Sequence, residues 1–228
     1  MSDPRSEPLR LVIFDLDGTL VDSAGGIHRC ISKSLAHHDL PPVTYEFVLG
    51  GIGLGLAAAW QRLVPDADEA MIQKLTETYR DYFLASRAAG EEQDPLFPGT
   101  KEALKALDDA GHLLGIATNK GRPGVEHVLK LHDIGGHFVA IRSAHDGPAK
   151  PHPDAILDVL AKTGAEARHT VFVGDTETDM ITAANAGVAA LGVGWGYHAP
   201  ELLLQTGAKA VAQDFTELPR LIDELIGS

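Results

Sequence analysis

The chain has 228 residues, 44% of them apolar and only 6% aromatic, which fits one globular domain, or one carrying a smaller insertion, built on an aliphatic core. Its 19 Lys and Arg against 32 Asp and Glu give a formal charge of −13, a balance that argues against a nucleic-acid backbone or an anionic membrane as partner. Cys30 is the single cysteine, which excludes an internal disulfide and a thiolate metal cluster, and no apolar run approaches the roughly 18 residues of a membrane span.

The opening MSDPRSEPLR is polar and lacks an apolar signal core, so a reducing cytoplasm is the expected setting, with both polar chain ends frayed. Leu9–Phe14 is the first apolar run, and it ends at Asp15. Almost a hundred residues then pass before the next strand near Leu113, where a βα connection normally takes a handful. Most of that stretch reads as helix. Ile27, Cys30, Ile31, Ser34 and Leu35 share one face, while Met71, Ile72, Leu75, Tyr79, Tyr82 and Phe83 form an aromatic-weighted one. Breakers frame it, Ser23 to Gly26 at the start and Asp94-Pro95 to Pro98-Gly99 at the end. Residues 22–94 are therefore expected to form a small helical domain inserted into an α/β core made of residues 1–21 and 95–228.

From there strands and helices alternate. Ala103, Leu104, Ala106, Leu107 and Ala110 predict a helix stopped by Gly111. Leu113–Ala117 predicts a strand ending at Thr118-Asn119, and Phe138–Ile141 a weaker one. Ala155, Ile156, Val159 and Leu160 give a helix after Pro153, and Val171–Val173 a strand running into Gly174-Asp175. Ala189–Val193 is the last expected strand, and Leu218, Leu221, Ile222 and Leu225 mark a final helix. Short apolar runs without polar alternation are strands buried on both faces. The expected fold is thus a doubly wound parallel sheet, α/β and Rossmann-like.

Ligands of such sheets sit beyond the carboxyl ends of the strands. That rule gathers Asp15, Asp17, Thr118, Asn119, Asp175 and Asp179. Asp15, Asp17 and Asp175 bring three acidic groups together, which repel one another unless a cation intervenes, and an all-oxygen donor set suits Mg²⁺. Taken singly, each residue has a plainer reading: an aspartate after a strand caps a helix or makes a turn, and Lys150 before Pro151 is a solvated loop lysine. Their joint occurrence in this order is much harder to obtain by chance.

Asp15-Leu16-Asp17-Gly18-Thr19-Leu20-Val21 after an apolar strand resembles motif I of the haloacid dehalogenase superfamily. Thr118-Asn119 resembles its motif II, Lys150 in AKPHPD its motif III, and Gly174-Asp175 with Asp179 its motif IV. The likeness spans residues 9 to about 195, with no departure at the motif positions, and the insertion lies where class I members carry a helical cap. The Thr-Asn-Lys at 118–120, the DGPAKPHPD run and Gly194 to Tyr197 are most similar to phosphoglycolate phosphatase-like members. In the dehalogenase branch the position two after the nucleophile is not acidic. Asp17 therefore implies phosphoryl transfer.

The resemblance implies that Asp15 is the nucleophile and Asp17 the general acid and base, with Lys150 offsetting negative charge in the transition state. Mg²⁺ is then held by the Asp15 carboxylate, the Asp17 backbone carbonyl and Asp175, while Asp179 orients the metal's waters or holds Lys150. Thr118, Asn119 and Lys150 bind the phosphoryl oxygens. Within the cap, Gly51 and Gly53 of the glycine-rich stretch 50–55, and His28 and Arg29, are candidates to face substrate, although a loop entering a helix at 56–63 explains the glycines equally simply and a solvated helix face explains His28 and Arg29 more simply. Met180 and Trp60 are expected to pack, and the eleven histidines show no metal-ligand spacing. The expected partner is a small phosphorylated metabolite, handled by a monomer or homodimer. A sugar phosphomutase or pyrophosphatase of the same superfamily, a nucleoside monophosphate as substrate, a phospho-aspartate receiver module that does not turn over, and a catalytically silent interaction protein compete with this reading.

Overall fold

The computed structural model describes residues 8–91 and 94–226. The expected fraying at both ends falls mostly outside this range. In chain order the core elements are β1 (Leu11–Phe14), then, after a long helical excursion, β2 (Leu113–Ala117), β3 (Phe138–Arg142), β4 (Thr170–Gly174), β5 (Ala189–Val193) and β6 (Ala210–Ala212). The excursion holds α1 (Ala24–His37), α2 (Tyr45–Leu49), α3 (Leu56–Leu63) and α4 (Glu69–Ala88), and it returns through α5 (Thr100–Asp109). Between and after the later strands lie α6 (Arg122–His132), α7 (Asp154–Thr163), α8 (Glu177–Ala186), α9 (Pro200–Thr206) and α10 (Leu218–Ile226).

The six strands are all parallel, in the order β3-β2-β1-β4-β5-β6. Alternate residues of β1 feed opposite faces. Val12 and Phe14 join a cluster with Leu104 and Leu107 of α5, Val125 and Val128 of α6, and Leu221 and Ile222 of α10. Leu11 and Ile13 join one with Ile156 and Val159 of α7, Met180 of α8 and Leu203 of α9. Both faces are dry, which is why the strands read as unbroken apolar runs; each fully buried aliphatic or aromatic side chain contributes about 1.5–3 kcal/mol.

The helical excursion has its own apolar centre. Ile31 and Leu35 of α1, Val48 of α2, Trp60 and Leu63 of α3 and Leu75 of α4 close around one another, and α1 packs along α4. Trp60 is wholly buried there and Met180 wholly buried in the sheet core, the packing places expected of both. The aromatic-weighted face of α4 divides: Leu75 is buried, Tyr82 reaches His37 at 3.3 Å, and Phe83 faces a cavity.

Several expectations need correction. The first strand begins at Leu11, because Leu9 stays half exposed. The fourth gains Thr170 and Gly174. A sixth strand, Ala210–Ala212, and helices α6 and α9 are additional to the elements expected from the sequence, while the helical turn expected to carry Asp179 is the start of α8. Among the described residues, no helix is long and apolar enough to cross a membrane.

Candidate functional site

The strand order reverses direction between β1 and β4, and two aspartates emerge there side by side. Phe14 pairs with Val173, and the Asp15 N–H donates to Val173 O at 2.9 Å, so Asp15 leaves β1 level with the Gly174-Asp175 exit from β4. Both side chains are buried, and Asp179 on the first turn of α8 joins them. Carboxylate oxygens of Asp15, Asp175 and Asp179 all lie within 4.8 Å of one another.

Each acid is locally fixed. Asp179 completes the capping box of α8: its Oδ2 accepts from the Thr176 backbone N–H at 3.0 Å and from the Thr176 hydroxyl at 2.6 Å. Its Oδ1 takes the Lys150 ammonium at 2.6 Å, and the same ammonium stands 2.8 Å from Asp15 Oδ1. Asp175 accepts from the Thr19 hydroxyl at 2.9 Å and from the Tyr197 N–H at 2.9 Å. Gly18 is required beside it: φ is +86°, and a Cβ there would sit 2.2 Å from Asp175 Oδ2.

Three carboxylates against one ammonium leave the cluster short of positive charge. Burial, more than anything else, pushes the Asp15 carboxyl up to about 6, with Asp179 and Asp17 adding to it and Lys150 opposing. Burial and the negative charges of Asp179 and Asp15 hold Asp175 well above the usual carboxylate range. Burial alone would lower Lys150, but the two carboxylates outweigh it and keep it above the usual lysine range. Asp15 Oδ1 is buried with no aligned hydrogen-bond donor although that ammonium is close. An all-oxygen cluster in which three carboxylates share one ammonium is the donor set a hard divalent cation takes. Asp15, Asp175 and Asp179 are thus able to hold a metal ion. The Asp17 carboxylate is not part of this cluster.

Asp17 turns instead to Lys120. Its Oδ1 is 2.8 Å from the Lys120 ammonium, which also reaches Asp94 Oδ2 at 3.4 Å and lies 5.3 Å from the centre of the Phe83 ring. Burial would depress Lys120, yet Asp17 and Asp94 hold it above its ordinary value. Asp94 belongs to the return linker, and its carbonyl accepts from His132 Nε2 at 2.8 Å. Sequence reasoning missed Lys120 and Asp94 as site residues. The only available signal was Lys120 following Thr118-Asn119.

Thr118 and Asn119 leave β2 next to these acids. The Thr118 hydroxyl accepts the Lys120 N–H at 3.2 Å. The Asn119 amide is fully used: it donates to Gly53 O at 2.9 Å and Lys150 O at 3.2 Å, and accepts from Lys150 N at 2.8 Å. Gly53 is thereby seated on the core, with φ +94° and space for no Cβ, which would lie 2.8 Å from the Thr176 hydroxyl. Gly51 lines the same cavity, packed against the Arg62 guanidinium.

That cavity measures about 740 Å³ and lies between the helical excursion and the strand ends. Asp15, Asp17, Thr118, Asn119, Lys120 and Lys150 line one side, and residues of α1, α3 and α4 the other. His28 and Arg29 are not on it. His28 meets the edge of the Tyr45 ring at 5.2 Å, and Arg29 donates to Glu91 O at 3.4 Å beside a separate shallow recess. The helix turns both away because Ile27 and Ile31 occupy the face toward the cavity.

The family model described as haloacid dehalogenase-like hydrolase matches residues 12–193. The chain is 33% identical to the probable phosphatase IndB of Dickeya dadantii over 91% of each protein, and 35% identical to the phosphoglycolate phosphatase of Yersinia pseudotuberculosis over 92% of this chain and 91% of that one. A crystal structure of a predicted phosphatase from Clostridium acetobutylicum superposes with a TM-score of 0.86 at 27% identity, covering 96% of this chain and all of the other. The chain belongs to the haloacid dehalogenase-like hydrolase family and is a phosphatase of that family.

Proposed function

We propose that the protein is a Mg²⁺-dependent phosphatase that hydrolyses a small phosphomonoester through an aspartyl-phosphate at Asp15. The observation that carries this reading is the buried cluster of Asp15, Asp175 and Asp179 around Lys150, one lysine for three carboxylates, at the edge of a large cavity. Mg²⁺, held by the Asp15 and Asp175 carboxylates and the Asp17 carbonyl, would supply Lewis-acid charge that lets a phosphate dianion approach a carboxylate.

An Asp15 carboxylate oxygen attacks phosphorus in line, the P–O bond to the alcohol breaks, and Asp17 protonates the departing alkoxide. Asp17, now ionised, takes a proton from the water that attacks the aspartyl-phosphate; inorganic phosphate leaves and Asp15 is regenerated. The Thr118 hydroxyl, the Asn119 backbone N–H and Lys150 receive the phosphoryl oxygens, and Asp179 keeps the Lys150 ammonium aimed at the reacting group. Residues 22–94 serve as the cap over residues 1–21 and 95–228, with Gly53 at its contact with the core and Gly51 on the cavity it covers. His28 and Arg29 have no part in substrate binding on this reading. The phosphoglycolate phosphatases among the relatives support 2-phosphoglycolate as the first ester to assay. A reducing cytoplasm fits the single, buried Cys30.

The test is phosphate release from p-nitrophenyl phosphate. Multiple turnovers that need Mg²⁺ and stop with a chelator are expected. Asp15→Asn should reduce turnover beyond the about 10²–10⁴-fold loss expected for Asp17→Asn. One equivalent of p-nitrophenol per chain with the phosphoryl group retained and no phosphate released, as in a receiver module, or an active Asp15→Asn enzyme, would overturn the proposal.

A further inference from the structure

The wall opposite the acids has a composition that a two-carbon acid does not explain. On α4 the lining positions are Thr76, Tyr79, Arg80, Phe83, Leu84 and Arg87, one face of the helix repeating at three and four residues. Tyr79 and Phe83 stack on each other, with centroids 5.9 Å apart and planes 18° from parallel. Ile27 and Ile31 of α1, and Ile52 and Leu56 on the approach to α3, complete a largely aliphatic and aromatic surface.

Cations near the reacting end are already engaged. Lys150 stands between Asp15 and Asp179, and Lys120 between Asp17 and Asp94. Of the arginines on the wall, Arg80 is exposed to solvent and Arg87 lays its guanidinium over the Phe83 ring at 5.7 Å. A glycolate leaving group would bring a carboxylate to a floor whose lysines are neutralised, and would leave most of the apolar wall in contact with water. The 740 Å³ volume falls in the range of about 300–1,000 Å³ that drug-sized ligands occupy.

We infer that the preferred substrate is a phosphomonoester of a bulky, largely apolar alcohol, aryl or medium-chain alkyl, whose body lies along Phe83, Tyr79 and Leu56. The inference rests on the hydrolytic reading above and replaces 2-phosphoglycolate as its ester. The aliphatic and aromatic wall gains from each methylene or ring carbon that it removes from water.

The experiment compares specificity constants for 2-phosphoglycolate, 1-naphthyl phosphate and the n-alkyl phosphates from ethyl to hexyl, whose leaving-group acidities are nearly constant. Burial of about 0.8 kcal/mol per methylene corresponds to at most fourfold each, so a rise on the order of 50–100-fold from ethyl to hexyl phosphate is expected. 1-Naphthyl phosphate should exceed 2-phosphoglycolate by at least tenfold. Ala58→Trp places a large side chain at an exposed position of the lining, and should abolish the chain-length dependence while sparing ethyl phosphate. Calorimetric binding of n-alkylphosphonates without metal should tighten along the same series with an increasingly negative heat-capacity change. A flat series with 2-phosphoglycolate preferred overturns this inference and leaves the phosphatase reading intact. No metal-dependent release from any ester, p-nitrophenyl phosphate included, overturns that reading, and tightening of the phosphonates would then remain as evidence for the apolar site.

Discussion

Lys120 joins two carboxylates that come from opposite ends of the helical excursion, Asp17 before it and Asp94 after it. An ammonium 2.8 Å from Asp17 fixes where that carboxylate points, which matters only if Asp17 handles a proton at the leaving oxygen. An activated leaving group such as p-nitrophenolate departs without protonation, whereas an alkoxide does not. Lys120→Met should therefore lower kcat for an alkyl phosphate at least tenfold more than for p-nitrophenyl phosphate, with Lys120→Arg restoring part of the difference. Equal losses on both esters would assign Lys120 a structural role only. Asp15, Asp17, Asp175 and Asp179 were legible beforehand because each follows an apolar strand or its first turn, a local signal. Lys120 was not, since Asp17 is 103 residues away and Asp94 is 26. His28 and Arg29 lie off the cavity for a related reason: a helix offers several faces, and only packing decides which one meets the cavity.

Elements were read well where burial is two-sided and aliphatic, and poorly where it is not. Leu113–Ala117 and Ala189–Val193 match their strands residue for residue. Strand Ala210–Ala212 is three residues long and mostly alanine, too little side chain to stand out from a loop. Helix α8 buries Thr178, Asp179 and Thr182 beside Met180 and Ala183, so its inward face is polar at the functional end and shows no amphipathic stripe. Helix α6 opens with Arg-Pro-Gly, residues that read as a turn. Helix α1 shows how an element can depend on distant chain. Its N-cap Ser23 makes no side-chain capping bond; the Tyr197 hydroxyl accepts the N–H groups of Ser23 and Ala24 at 3.0 and 3.1 Å and donates to Asp22 Oδ1 at 3.3 Å. Tyr197 also donates its own N–H to Asp175, so one residue ties the start of the excursion to the acidic cluster. Removing the hydroxyl leaves two orphan donors at a helix start, a loss of about 1 kcal/mol. Tyr197→Phe should show that loss in urea unfolding. It should also raise hydrogen exchange at the first turn of α1 and leave the amides of β4 protected; unchanged exchange at α1 would mean that water substitutes fully for the hydroxyl.

At the scale of the whole molecule, the sheet order concentrates buried charge at one end of its strands. Three buried carboxylates face one another at the β1–β4 switch point in a chain whose formal charge is −13, and the ammonium of Lys150 offsets only part of that repulsion. The metal-free fold must therefore carry a penalty that a divalent cation relieves, and binding to the folded state alone raises stability by mass action. At a Mg²⁺ concentration about 100 times the dissociation constant the gain is about 2.7 kcal/mol, and for a chain of this size each kcal/mol is worth roughly 2–4 °C, so Tm should rise by about 5–10 °C. Asp175→Asn keeps an acceptor for the Tyr197 N–H but removes one buried negative charge. Its metal-free Tm should exceed that of the parent, and its Mg²⁺-induced rise should nearly vanish, so the two melting curves cross as magnesium is added. Scanning calorimetry of both proteins with and without Mg²⁺ decides the matter. An undiminished rise in Asp175→Asn would place the cation elsewhere, and a lower metal-free Tm would mean that Asp175 stabilises the fold through its hydrogen bonds more than it strains it by charge.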